Sequence, residues 1–100
     1  MKFGICNEIF KDWDIEKGLQ FAKDAGYDAI EIAPFTLANY VTEISPETRK
    51  RIRDYAAKID LEISAVHWVL VQAEGMYMTH TDPEIRAKTA QYFCDLVDFC

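Results

Sequence analysis

Glu31, His67, Trp68 and Asn7 are the residues whose types and surroundings could do chemistry. Glu31 stands inside an apolar stretch, between Ala29, Ile30, Ile32 and Ala33. A carboxylate there is costly unless it is paired or used. It could accept hydrogen bonds from a substrate; its structural alternative is an ion pair or hydrogen-bond hub with an inward residue of a neighbouring strand. His67 closes a second strand-like stretch that starts at Leu61. Neutral imidazole can ligate a divalent metal, and either protonation state can bond a hydroxyl; the alternative is a core histidine satisfied by a backbone carbonyl. Trp68 and Trp13 offer flat apolar surfaces suited to the carbon face of a sugar, although aromatic residues near a core more often pack. Asn7 and Glu8 are polar and lie just past the first apolar run, while His80 reads as a solvated loop residue beside a lid-like patch of Met76, Tyr77 and Met78.

Several chemistries lack their residues. There is no HxH or HExxH spacing and no run of carboxylates with histidine that would make a complete metal site. No nucleophile elbow occurs. Cys6, Cys94 and Cys100 are odd in number and lack the short paired spacing of a zinc site, so they read as free thiols of a reducing cytoplasm. The segment is therefore expected to contribute substrate contacts, with no catalytic residue and no metal ligand of its own.

The elements that must position these side chains repeat. A strand at Phe3 to about Asn7 is followed by a loop over Glu8–Trp13, and Asp14 is placed to cap a helix whose stripe is Ile15, Leu19, Ala22 and Ala25. Gly26 sits where a left-handed residue should end that helix. A second strand runs from Ala29 to Ala33 and stops at Pro34. Ser45, Pro46 and Glu47 open a second helix with a cap, a proline in the first position and an acid in the first turn. Its buried stripe is Ile52, Tyr55, Ala56 and Ile59. Leu61 to His67 or Trp68 is a third strand. Asp82, Pro83 and Glu84 repeat the helix-opening device, with Ile85, Thr89, Phe93, Leu96 and Cys100 as the stripe of a third helix and further apolar residues at Val97 and Phe99.

Strand starts separated by roughly 26 and 32 residues have the length of βα units, and the right-handed crossover rule makes such strands parallel. An open doubly wound sheet and a (β/α)8 barrel both fit. The first expects a glycine-rich phosphate loop after its first strand, but Cys6 to Phe10 contains no glycine. Parity also favours the barrel: Ile30 and Ile32 share one face, suited to the helices, while Ala29, Glu31 and Ala33 share the other, suited to the interior. The connections from strand to helix are long and those from helix to strand short, which puts irregular sequence on the face where barrels carry active sites. The expected fold is thus α/β, the first three parallel βα units of a (β/α)8 TIM barrel, with residues 1–100 forming an N-terminal portion of one domain.

Composition sets further bounds. Half of the 100 residues are hydrophobic and 13% aromatic, so a packed core is intended. The formal charge is −6, and the densest basic group, Arg49, Lys50, Arg51 and Arg53, is spread around one helix near Glu47 and Asp54. Nucleic-acid backbone binding is disfavoured, because it relies on neutralising phosphates. No apolar run approaches the roughly 20 residues of a membrane span, and no export signal precedes the first strand. A cytoplasmic chain is the expectation.

The stretch from Gly26 to Ile32 (GYDAIEI) and that from Leu61 to Trp68 (LEISAVHW) together resemble the xylose isomerase-like TIM barrels, the sugar phosphate isomerase/epimerase group. The opening KFGI and the stretch TDPEIRAKT from Thr81 to Thr89 are similar to that group too. The G-[FY]-D-x-[IV]-E-[IL] pattern is common across the superfamily, and the His67-Trp68 ending is narrower. The resemblance implies an enzyme that uses Mn²⁺, Mg²⁺ or Zn²⁺ held by Glu, Asp and His of later strands. It also implies proton transfer next to the carbonyl of a sugar or sugar phosphate. Glu31 and His67 match positions that face the pocket and touch substrate or support the metal shell. The same superfamily contains endonuclease IV-type repair enzymes, whose third-strand histidine binds zinc. Here that histidine is followed by Trp68, Val69 and Leu70 instead of the Ala-Pro-Tyr of that branch, which demotes the repair reading. A non-catalytic half-barrel that exists only as an oligomer is the third possibility, because open strand edges and an uncovered inner face invite association.

Overall fold

A computed structural model describes all residues from Met1 to Cys100. Three strands, β1 (Gly4–Cys6), β2 (Ala29–Ile32) and β3 (Glu62–Val66), alternate with helices α1 (Ile15–Asp24), α2 (Pro46–Lys58) and α3 (Pro83–Phe99). The strands form one parallel sheet in the order β1-β2-β3. Each is a residue or two shorter than its apolar run, because pairing ends before the hydrophobic pattern does.

The helix starts are set by side chains that accept from otherwise unpartnered first-turn amides. Asp14 accepts from Glu16 N at 3.0 Å, Ser45 from Thr48 N at 3.1 Å and Asp82 from Glu84 N at 2.9 Å. The α1 terminus is a Schellman closure: Gly26 N donates to Lys23 O at 2.9 Å and Tyr27 N to Ala22 O at 3.1 Å, with Gly26 at φ 91°. A Cβ on Gly26 would meet nothing within 4 Å, so the cost of adding one is conformational alone. Gly26→Ala is expected to lower stability by about 1 kcal/mol, the cost of a left-handed non-glycine residue; urea unfolding at fixed protein concentration measures it.

The alternation expected in β2 is realised. Ile30 and Ile32 join Leu19 and Ala22 of α1 and Ile52 and Ala56 of α2 in the main core, together with Phe10 and Leu61. The opposite face of the sheet is a shallow concavity lined by Lys2, Gly4, Ile5, Cys6, Ala29, Glu31, Glu62 and Ser64. Apart from Ile5, its lining is small or polar.

Two expectations are corrected. The connections read as irregular loops contain 3₁₀ turns at Asn7–Phe10, Pro34–Thr36 and Val41–Glu43. A single such turn is closed by i→i+3 bonds and is too short to show a hydrophobic period. The buried face of α3 is also rotated from its expected stripe: Thr89, Tyr92 and Leu96 are buried, whereas Cys100 is exposed and Val97 is 74% exposed. Tyr92 sets that rotation. It packs in a second core with Val41, Ile44, Ala73, Met76 and Leu96, and its hydroxyl accepts from Val41 N at 3.2 Å. Met76 of the expected lid is consumed by this core, while Tyr77 and Met78 stay exposed.

The radius of gyration is 14.6 Å, against about 13 Å for a closed domain of this length. The accessible surface is 6425 Å² for 11.5 kDa, against about 5,800 Å² for a closed domain of that mass. Both excesses reflect an open inner sheet face and two sheet edges, β1 and β3, each paired on one side only. No helix is long and apolar enough to cross a membrane.

Candidate functional site

The carboxyl ends of the three strands bring four chemically capable side chains together: Cys6, Glu8, Glu31 and His67. Pairing explains how. Cys6 lies opposite Glu31 across β1 and β2, and Glu31 lies opposite Ala65 across β2 and β3, so the three share the inner face. Between Ile30 and Glu31 the β3 register slips by one residue: Ile63 faces Ile30, Ala65 faces Glu31, and Ser64 is extra. Its hydroxyl donates to Ile30 O at 3.3 Å. Such a bulge reverses the alternation of the strand beyond it. Ala65 and His67 are thereby carried to the face of Glu31, although simple alternation would leave them on that of Ile63.

His67 is held by its backbone, which extends the ladder by donating to Ile32 O at 2.9 Å. Its Nδ1 stands 3.5 Å from Glu31 Oε2. Glu31 is half-buried and His67 remains 46% exposed, so both can meet a molecule entering from the rim. Cys6, Glu8 and His67 each offer a donor atom, and the three atoms lie within 4.8 Å of one another. Burial pushes the Cys6 thiol above its ordinary value; the backbone N–H of Glu8 opposes this, and the charges of Glu8 and Glu31 reinforce it. No lysine or arginine nitrogen comes within 4.0 Å of Glu8 or Glu31. The pocket end of the sheet is electronegative.

Trp68 follows at φ 54°, a left-handed conformation rare for a bulky residue. Its ring meets that of His67 edge-on, centroids 5.5 Å apart, and is half exposed. The turn there points an aromatic wall at the histidine. Trp13 instead belongs to an aromatic group with Phe10 and Phe21, with Lys17 Nζ 4.4 Å from its ring centre. His80 is tied locally, its Nδ1 accepting from Asp82 N at 3.0 Å.

Asn7 is buried at the rim with both ends of its amide engaged. Oδ1 accepts from Ala33 N at 2.7 Å and Nδ2 donates to Thr36 Oγ1 at 2.8 Å. These bonds fasten the end of β1 to the residues that leave β2, a positioning role beside Glu31. Asn7→Ala is expected to cost about 2 kcal/mol by stranding the buried Ala33 amide, read as a lower urea midpoint with unchanged slope.

Sequence spacing reveals Glu31 and His67 individually, since the first interrupts an apolar run and the second ends a strand-like stretch. It does not reveal the cluster, because Cys6 and Glu8 meet His67 only through the strand order and the bulge. The available signal was parity: Cys6 and Glu31 both fall on the inward alternation of their strands.

The donor set of one thiol, one carboxylate and one imidazole has the chemistry of a zinc-class ion; a thiol ligand is foreign to Mg²⁺. No curated protein and no solved structure matches the chain significantly. The family model described as xylose isomerase-like TIM barrel matches residues 19–100, which include β2, β3, α2, α3 and the C-terminal part of α1. With three parallel βα units and its polar residues gathered at the carboxyl strand ends, the chain belongs to the xylose isomerase-like TIM barrel family and has the α/β fold of a partial barrel.

Proposed function

We propose that these residues furnish part of a divalent-metal-dependent sugar or sugar-phosphate isomerase or epimerase that moves a proton on a carbon next to a carbonyl. The observation that carries this reading is the pair Glu31 and His67, 3.5 Å apart on the inward face at the carboxyl strand ends, where barrels of this kind do their chemistry. Glu31 accepts from sugar hydroxyls. His67 touches the substrate or supports the metal shell, with Glu31 orienting its ring. Trp68 walls the apolar side of the pocket, and Asn7 keeps β1 and β2 in register beside it. A divalent ion, Mn²⁺, Mg²⁺ or Zn²⁺, would stabilise the negative charge that develops on the carbonyl oxygen during proton removal. In this reading the acid and base that move the proton come from strands beyond these three. The chain alone is therefore inactive, and its unpaired cysteines suit a cytoplasmic setting.

The test is turnover of a panel of ketoses and ketose phosphates, with Mn²⁺ supplied, by protein expressed from the complete reading frame. Conversion of one member supports the reading; no conversion by folded protein counts against it. Cleavage of an abasic-site oligonucleotide by the same sample would move the assignment to a nuclease of this fold. The open inner face carries a second expectation: the 100-residue chain made alone associates at micromolar concentration, and a folded monomer by light scattering would refute this.

A further inference from the structure

We propose that Cys6, Glu8 and His67 bind a zinc-class divalent cation at the rim of the sheet, with Glu31 as the carboxylate that orients the histidine. The inference stands on these four side chains and does not depend on the isomerase reading.

Geometry comes first. The three donor atoms lie within 4.8 Å of one another. A tetrahedral zinc with bonds of about 2.0–2.3 Å spaces its donors about 3.3–3.8 Å apart. The remaining gap is within reach of side-chain torsions, since Glu8 is half-buried and His67 is half exposed. Cys6 is fixed more firmly, being part of β1 and paired with Glu31. The ligands thus combine one rigid donor with two adjustable ones.

Charge and second-sphere placement point the same way. Glu8 and Glu31 converge on this corner with no lysine or arginine within 4.0 Å of either. Two carboxylates beside a thiol form a region that a cation relieves. Glu31 Oε2 stands 3.5 Å from His67 Nδ1, which leaves Nε2 as the nitrogen to offer. A carboxylate behind the non-ligating nitrogen is the arrangement that fixes a metal-bound imidazole.

Donor type selects the ion. Sulfur and imidazole nitrogen favour Zn²⁺ and its analogue Co²⁺ over Mg²⁺ or Ca²⁺. Three protein ligands leave a fourth position open, the pattern of a reactive site more than of a closed structural one. On binding, Cys6 loses its proton to solvent and a sulfur–metal bond forms; no oxidant or reductant is needed.

The experiment is a Co²⁺ titration of the metal-free protein, carrying C94S and C100S so that the exposed thiols cannot contribute, followed by absorption. The expected result is one Co²⁺ per chain that gives a thiolate-to-cobalt charge-transfer band in the near ultraviolet, and displacement of that ion by Zn²⁺. C6S abolishes the band. Glu8→Gln and His67→Gln each weaken binding about tenfold or more, and Glu31→Gln weakens it by about 10–100-fold while the band keeps its shape. No band in the parent protein, or a band that survives C6S, overturns the proposal. Should C6S fail to fold by circular dichroism, His67→Gln decides: undiminished affinity in that folded variant overturns it. The readout is absorption, so its failure is separable from absence of isomerase turnover.

Discussion

Ile30→Ala is expected to lower the unfolding free energy by about 3–4 kcal/mol. Ile30 lies in the central strand and is 0% exposed. It packs in one core with Leu19, Ala22, Ile52 and Ala56, from the two helices that cover the sheet. Truncation removes apolar transfer energy and leaves a cavity that β2 cannot collapse to fill, because it is paired on both sides. The same change at Val97, exposed on α3, should stay within about 0.5 kcal/mol. Urea unfolding of both variants at one protein concentration gives the comparison, and similar losses would contradict the assigned core.

Glu31→Gln is expected to lower kcat/KM for the converted ketose by about 10–100-fold, equivalent to losing one charged hydrogen bond of about 1.5–3 kcal/mol. The amide keeps the shape of the side chain and removes the charge. His67→Gln should lose a similar amount. Because the two side chains face each other at 3.5 Å, the double variant should lose less than the product of the single losses. Additive losses would separate their roles. Wild-type unfolding midpoints in all three variants would assign the effect to the pocket.

Much of the fold was legible because local physics dictates it. Asp14, Ser45 and Asp82 announce the helix starts, and each forms the capping bond its type suggests. Gly26 announces the end of α1 by the conformation it adopts. Ile30 and Ile32 separate from Glu31 by simple alternation. The face of α3 was not legible, because Tyr92, Phe93, Val97 and Phe99 place apolar residues around most of that helix. Only the partner could choose among them, and Val41 chose Tyr92. The candidate site was half legible for a related reason. Glu31 betrays itself as a carboxylate in an apolar run, and His67 by its place at the end of a strand. Their meeting with Cys6 and Glu8 depends on strand order and on the extra residue Ser64, neither of which has a sequence period.

Solvent exchange tests the proposed chemistry most directly. Protein from the complete reading frame, supplied with Mn²⁺ in D₂O, is incubated with the ketose it converts, and product and recovered substrate are examined by mass spectrometry and NMR. Proton transfer next to the carbonyl places deuterium on that carbon in the product, with slower incorporation in Glu31→Gln. Turnover that leaves the carbon free of deuterium, or no turnover by folded, metal-loaded protein, would contradict the assignment.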